Sequence, residues 1–263
     1  GPRLITMLGI QLVFIARDNF ASRLEVGAVT ALTYGWMIMQ VPETLMGTAI
    51  ATAILPTISE YAAVEDWKKF RETIERAIRV MIALTLPAAA ILAAGLLPLV
   101  RLVFDFDMDG TKLLTWTARA YLLTLAGYAI QEVLSRAFYA RKEALVPLWT
   151  IFVRFGVFLL GGTLVLRVFP HLSAAGLALA ELAVVVEAGL MLWIMNARLP
   201  TRVTASSSLL RGLLAALLGG VAAYLLAVYI PGGAVITAIL GMLFGVMIAL
   251  PIVWQEVRLL FNL

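Results

Sequence analysis

SRAFYARKEALVP, Ser135 to Pro147, sets three basic residues, two aromatics and a proline between two long apolar runs. Leu113–Phe138 precedes it and Leu145–Val168 follows, and each is long enough for a bilayer core, which takes about 20 apolar residues. The alternation repeats outward along the chain. Leu4–Ala21, Gly27–Ile58 and Ile78–Val103 lie before the pair, and Leu172–Met195, Leu209–Ile230 and Ala234–Trp254 lie after it. Hydrophobic residues make up 62% of the 263 positions and charged residues 14%, against roughly 45–50% apolar content in a soluble domain. The excess is organised into about eight spans. The expected fold is therefore all-α, a polytopic transmembrane helical bundle. Pro42 falls inside the second span, where its missing N–H and its ring predict a bend.

The basic residues alternate with the spans as well. Arg3, the group Lys68, Lys69, Arg71, Arg76 and Arg79, the group Arg136, Arg141 and Lys142, the group Arg198, Arg202 and Arg211, and Arg258 all fall on one side. The other side holds only Arg23, Arg101, Lys112 and Arg167. The positive-inside rule then puts both ends of the chain in the cytoplasm. On this reading the opening stretch is a tight cytoplasmic turn, with aromatics at the interface, basic residues facing anionic headgroups and Pro147 starting the next helix. Trp67, Phe70, Ile74, Ile78 and Met81 recur at helical spacing among charges, which predicts an amphipathic connector in the cytoplasmic headgroup plane. The chain opens Gly-Pro-Arg without an initiator Met or a secretory n-region, so a cut inside a longer protein is expected at Gly1.

Within the spans sit Arg17, Asp18, Glu43, Arg119, Glu132, Arg154, Glu181 and Glu187. An ionisable group at the bilayer centre costs about 2.5–3.5 kcal/mol on insertion scales, so this set needs partners or a polar cavity. Glu132 and Arg136, four apart, fit a structural pair on one helical face. Arg17, Asp18 and Glu43 flank the bent second span, where a broken helix opens backbone groups to a cavity. Arg154 and Glu187 form a second polar group.

Other chemistry finds little support. There is no cysteine, and no nucleophile elbow, Walker loop or dinucleotide fingerprint, so an enzyme is not expected. DFDMDG, Asp105 to Gly110, imitates a calcium loop, but its twelfth place is Trp116 rather than glutamate, and an exposed external loop is expected. His171, the single histidine, lacks metal-ligand neighbours. No metal, cofactor or nucleic-acid partner is expected. Gly241 and Gly245, and the small residues Gly47 to Ala53, mark close helix packing.

NFASRLEVGAVTALTYGWMIMQVPETLMGTAIATAILPTISEYA, Asn19 to Ala62, resembles the seventh and eighth helices of the MurJ (MviN) family. These are lipid II flippases of the multidrug/oligosaccharidyl-lipid/polysaccharide exporter superfamily. SRAFYARKEALVP is similar to that family's turn between helices ten and eleven. The resemblance covers roughly Ile5 to Pro200 and implies a second six-helix lobe over 1–200, with two additional C-terminal helices over 201–263. It implies translocation of an undecaprenyl-linked peptidoglycan precursor across the bacterial cytoplasmic membrane, by alternating access between two lobes around a cationic cavity. The partners implied are the lipid-linked glycan, membrane lipids and a missing N-terminal six-helix lobe.

Tyr34, Gln40 and Pro42 match the family's pattern. Met37 stands where the family usually carries arginine, so Arg17 is expected to restore that charge. The expected cavity residues are Arg17, Asp18, Tyr34, Gln40, Glu43, Arg154 and Glu187, with Pro42 at the bend. A flippase for another polyprenyl-linked glycan, or a membrane scaffold without transport, is the alternative. Charges that line one cavity favour transport, and charges dispersed into local pairs favour the scaffold.

Overall fold

The computed structural model describes residues 2–230 and 232–260. Gly1, where a cut is expected, and the side chain of Arg3 lie outside the described residues. The chain runs α1 (Pro2–Ala21), α2 (Ala28–Pro42), a π-helical segment (Glu43–Thr48), α3 (Ala49–Ala63), α4 (Trp67–Val103), α5 (Met108–Leu122) and α6 (Leu125–Ala140). It continues with α7 (Leu145–Arg167), a 3₁₀ turn (Pro170–Leu172), α8 (Ser173–Ala180), α9 (Ala183–Arg198), α10 (Ser206–Tyr229), α11 (Ala234–Ile252) and α12 (Trp254–Leu260). Among the described residues, seven segments are long and apolar enough to cross a membrane. The remaining expected span, Leu113–Phe138, falls on two shorter helices, α5 and α6, which meet at a tight turn through Leu123 and Thr124.

The disruption expected at Pro42 takes a specific form. Pro42 closes α2, and the next six residues wind as a π-helix before α3 resumes the α winding. A proline cannot donate to the carbonyl four residues earlier, here Ile38, and a π-turn is one way to absorb the lost bond. Gly47 in that segment lies against Ala129 of α6, where an added Cβ would be 3.4 Å from the Ala129 Cα.

The connector expected in the headgroup plane is not a separate helix. Residues 67–81 are the first part of α4, a continuous helix of 37 residues, about 55 Å long at 1.5 Å per residue against a hydrocarbon core of about 30 Å. Its apolar stripe is covered by protein. Phe70, Ile74, Ile78 and Met81 pack with Ile54 and Ile58 of α3, Val133 and Phe138 of α6, and Met191 and Met195 of α9. Periodicity marks a buried face without saying what buries it.

Asp66 caps α4 by accepting the Lys69 backbone N–H at 3.1 Å. That bond holds its carboxyl below the ordinary aspartate range. The cap's contribution is therefore full above the unfolded-state aspartate pKa, and it is lost as pH falls through the lower folded value. Amide exchange in the first turn of α4 is expected to quicken over that acid range, while exchange in the middle of the helix does not.

The opening stretch also differs from its expectation. Phe138 is fully buried in the core rather than at an interface. Arg136 bonds Glu132 at 2.6 Å and Thr52 at 2.9 Å. Arg141 bonds Glu143 and lies over the Trp67 ring at 4.8 Å, and Glu143 also takes Arg198. Of the three basic residues of the stretch only Lys142, at φ 61°, is exposed. The carboxylates of α6 and of the turn itself, local and already ordered, take these guanidiniums.

α10 and α11 pack on each other and on α4. Their glycines allow backbone contact, since a Cβ on Gly241 would lie 2.5 Å from the Ala223 carbonyl oxygen and one on Gly245 would lie 2.6 Å from that of Gly219. The close packing expected of these glycines is thus within the chain. α12 is fixed at the bundle's basic end, where Glu256, fully buried, accepts from Ser208 at 3.0 Å and Arg211 at 3.2 Å.

Candidate functional site

Four segments meet around a cavity of about 280 Å³. α1 supplies Ile10 and Phe14; α2 and the π-helical segment supply Trp36, Met39, Gln40, Glu43 and Thr48; α6 supplies Tyr128, Gln131 and Glu132; α7 supplies Arg154. Arg154 lies nine residues into α7, about 14 Å along the helix and so near mid-depth of a bilayer core. Glu43 lies near the middle of the continuous segment Ala28–Ala63. Its carboxylate accepts from the Thr48 hydroxyl at 3.3 Å, across the π-turn.

Behind the cavity wall lies a buried ionic cluster. Arg154 donates to Glu181 at 2.9 Å and to the Tyr128 hydroxyl, and its guanidinium lies over the Tyr128 ring at 4.8 Å. It approaches Glu187 at 3.5 Å, an ion-pair contact without hydrogen-bond geometry. The Tyr128 hydroxyl donates to Glu181 at 3.0 Å, and the Thr150 hydroxyl to Glu187 at 3.4 Å. The three charged side chains are 5%, 1% and 1% exposed.

Local winding explains how two carboxylates from one segment reach one guanidinium. Residues six apart in an α-helix stand about 120° from alignment. Between α8 and α9 the backbone makes i to i+3 bonds, from Glu181 to Ala178 and from Leu182, Val184 and Val185 likewise. At 3₁₀ winding each residue adds about 20°, so four of them recover about 80° and turn Glu181 and Glu187 to the same side.

The expected cavity residues divide into three groups. Gln40, Glu43 and Arg154 share the cavity; Glu187 stands behind it, on Arg154. Arg17 is buried, but its Nε and Nη2 both bond Asp18, at 3.0 and 2.9 Å, and it lies over Phe14 at 4.9 Å. Its charge is paired with Asp18, and Met37 is exposed on α2. Tyr34 packs on Phe104 and Phe106, with ring centroids 5.0 and 6.2 Å away, and does not line the cavity.

Tyr128 and Glu181 were not among the expected cavity residues. Glu181 carried a signal as an intramembrane carboxylate, but Tyr128 had none. The charged residues that line this wall are Glu43, Glu132 and Arg154, so on this lobe a diphosphate would meet one lining cation.

A larger cleft of about 900 Å³ opens at the other end of the bundle, between the α1–α2, α4–α5 and α7–α8 connections. It holds none of the intramembrane charges. The DFDMDG stretch contributes there, with Asp107 capping α5 through the Gly110 N–H at 2.8 Å. His171 is exposed at the same rim.

Comparison with known proteins places these features in context. A protein family described as "Lipid II flippase MurJ" matches residues 1–245. A probable lipid II flippase MurJ of Rhizobium meliloti is 32% identical over 69% of this chain and 34% of its own length. The lipid II flippase MurJ of Burkholderia cenocepacia is 31% identical over 52% of the chain and 27% of its own length. The chain therefore matches about a third of these curated relatives. A structure of lipid II flippase MurJ in an inward closed conformation superposes with a TM-score of 0.81 at 20% identity, over 99% of this chain and 54% of the other. A MATE transporter in a bent conformation superposes at 0.65 and 14% identity, over 97% and 64%. At these identities the structural likeness establishes the fold.

Proposed function

Because the chain belongs to the MurJ family of lipid II flippases, we propose that it is one lobe, with two additional helices over 201–263, of a transporter that moves a lipid-linked glycan across the bacterial cytoplasmic membrane. Both ends of the chain would then lie in the cytoplasm. The transport step is a change of access around the headgroup, with no covalent chemistry. The observation that carries this reading is the mid-depth cavity, because a polar space walled by four segments has a use in transport and a cost otherwise. That Glu43 and Glu132 outnumber the single cation Arg154 in the lining supports a reading in which the phosphates of the cargo meet the opposing lobe. Sugar hydroxyls and peptide amides fit Gln40, Glu43 and Gln131.

Retention of the local pairs Arg17–Asp18 and Glu132–Arg136 favours a second reading, a membrane scaffold without transport. The full-length protein separates the two in a bacterium depleted of its own lipid II flippase. Rescue is expected, and Glu43→Ala is expected to slow translocation about ten- to a hundredfold, the effect of losing a hydrogen bond to a charged group. Failure of the wild-type protein to rescue, at normal membrane levels, would favour the scaffold.

A further inference from the structure

The intramembrane carboxylates differ in one respect. Asp18 pairs with Arg17, Glu132 with Arg136, and Glu181 and Glu187 with Arg154. Glu43 alone of this set makes no ion pair among the described residues. Its carboxylate lines the mid-depth cavity and accepts from the Thr48 hydroxyl at 3.3 Å. It folds back over Gly47, where an added Cβ would come within 3.0 Å of Glu43 Oε1. The π-helical segment thus makes room for a carboxylate without setting a cation beside it.

The neighbouring elements do not supply that cation. The π-helical segment packs on α2, α3, α4 and α6. α6 presents Tyr128, Glu132 and Arg136, and the Arg136 guanidinium is engaged by Glu132 and Thr52. α4 has no titratable residue between Arg79 and Arg101, and those of α3, Glu60 and Tyr61, begin twelve residues beyond Thr48. In α2 the one titratable side chain, Tyr34, packs on Phe104 and Phe106. In the α7 wall Arg154 is held by Glu181 and Glu187, while Glu132 brings a second negative charge to the same lining.

Building on the transport reading above, we propose that Glu43 is a proton carrier and that the protein exchanges one proton for each headgroup it moves. An ionised carboxylate without a cation is costly away from water, so the empty cavity closes and reopens with Glu43 as the neutral acid. The proton comes from water on the side where cargo has left. It leaves to water on the opposite side when the next headgroup arrives, because sugar hydroxyls and peptide amides donate to a carboxylate and favour its ionised form. Cargo and proton therefore occupy Glu43 in turn.

Proteoliposomes of the full-length protein, carrying fluorescent lipid II and clamped at zero membrane potential, test this. A gradient of one pH unit is expected to enrich the label about tenfold in the leaflet facing the acidic side, the value for one proton per headgroup. Glu43→Gln is expected to leave the distribution even. Translocation by wild type without enrichment would overturn the exchange and leave the transport reading standing, whereas absence of translocation would overturn both. Enrichment by a sodium gradient in place of the pH gradient would also overturn it, as would full enrichment in Glu43→Gln. Melting midpoints check that the variant folds. If it folds without translocating, calorimetry of lipid II binding in buffers of different ionisation enthalpy decides. Wild type is expected to release a proton that Glu43→Gln does not, and equal release would overturn the proposal.

Discussion

Replacing Arg154 with methionine is expected to destabilise the chain by about 3–5 kcal/mol, because Glu181 and Glu187 would be left buried without a cation. The melting midpoint in detergent should fall by roughly 6–20 °C. The variant keeps most of the side-chain volume, so packing contributes little to the loss. The companion experiment identifies the cause. Adding Glu181→Gln and Glu187→Gln to Arg154→Met should recover most of the stability, since an uncharged cluster no longer demands compensation. Recovery of stability without recovery of transport would separate the cluster's structural role from a role in the cavity, whose lining includes Arg154. A triple variant as unstable as Arg154→Met would mean that the methionine itself misfits.

The second large effect is expected at the α10–α11 contact. Gly241→Val places its Cβ 2.5 Å from the Ala223 carbonyl oxygen, and a backbone atom cannot rotate aside. Overpacking of this kind costs about 1–3 kcal/mol. Gly245→Val meets the Gly219 carbonyl in the same way. Combined, the two should part α11 from α10 and expose the connection near Gly232 to limited proteolysis. Gly189, with nothing within 4 Å of a built Cβ, supplies the control: Gly189→Ala should leave the midpoint unchanged or raise it, since alanine is the better helix former. Equal sensitivity at Gly189 and Gly241 would show that helix propensity rather than contact sets the effect.

Much of this architecture could be read from apolar run lengths, because a bilayer demands a fixed length and punishes unpaired backbone. Glu132 and Arg136 were legible as a pair for a similar reason, since spacing of four on a helix fixes proximity. What could not be read were features that depend on winding or on neighbours. Glu181 and Glu187 are six apart and on different faces of a regular helix, so only the 3₁₀ stretch between them makes one cluster. Arg17 looked available because its partner is adjacent in sequence, and adjacent residues on a helix ordinarily diverge. Arg136 and Arg141 looked like headgroup contacts because a basic turn between spans usually is one. The amphipathic stripe of residues 67–81 fitted a membrane surface as well as a protein interior, and composition does not distinguish them.

The length of α4 has a mechanical consequence. A single rod of about 55 Å meets α5 at Ala93 and α12 at Arg79, and the stretch between Leu199 and Ser206 is strapped to it through Arg71 and Glu75. Tilting such a rod by about 10° displaces its far tip by roughly 10 Å. The rod does not swing alone, since Phe70, Ile74 and Ile78 near its Trp67 end are packed with α3, α6 and α9, and any tilt carries those helices with it. A distance label at Lys68 would therefore report the movement of a whole end of the bundle, α6 with its cavity residues Tyr128, Gln131 and Glu132 included.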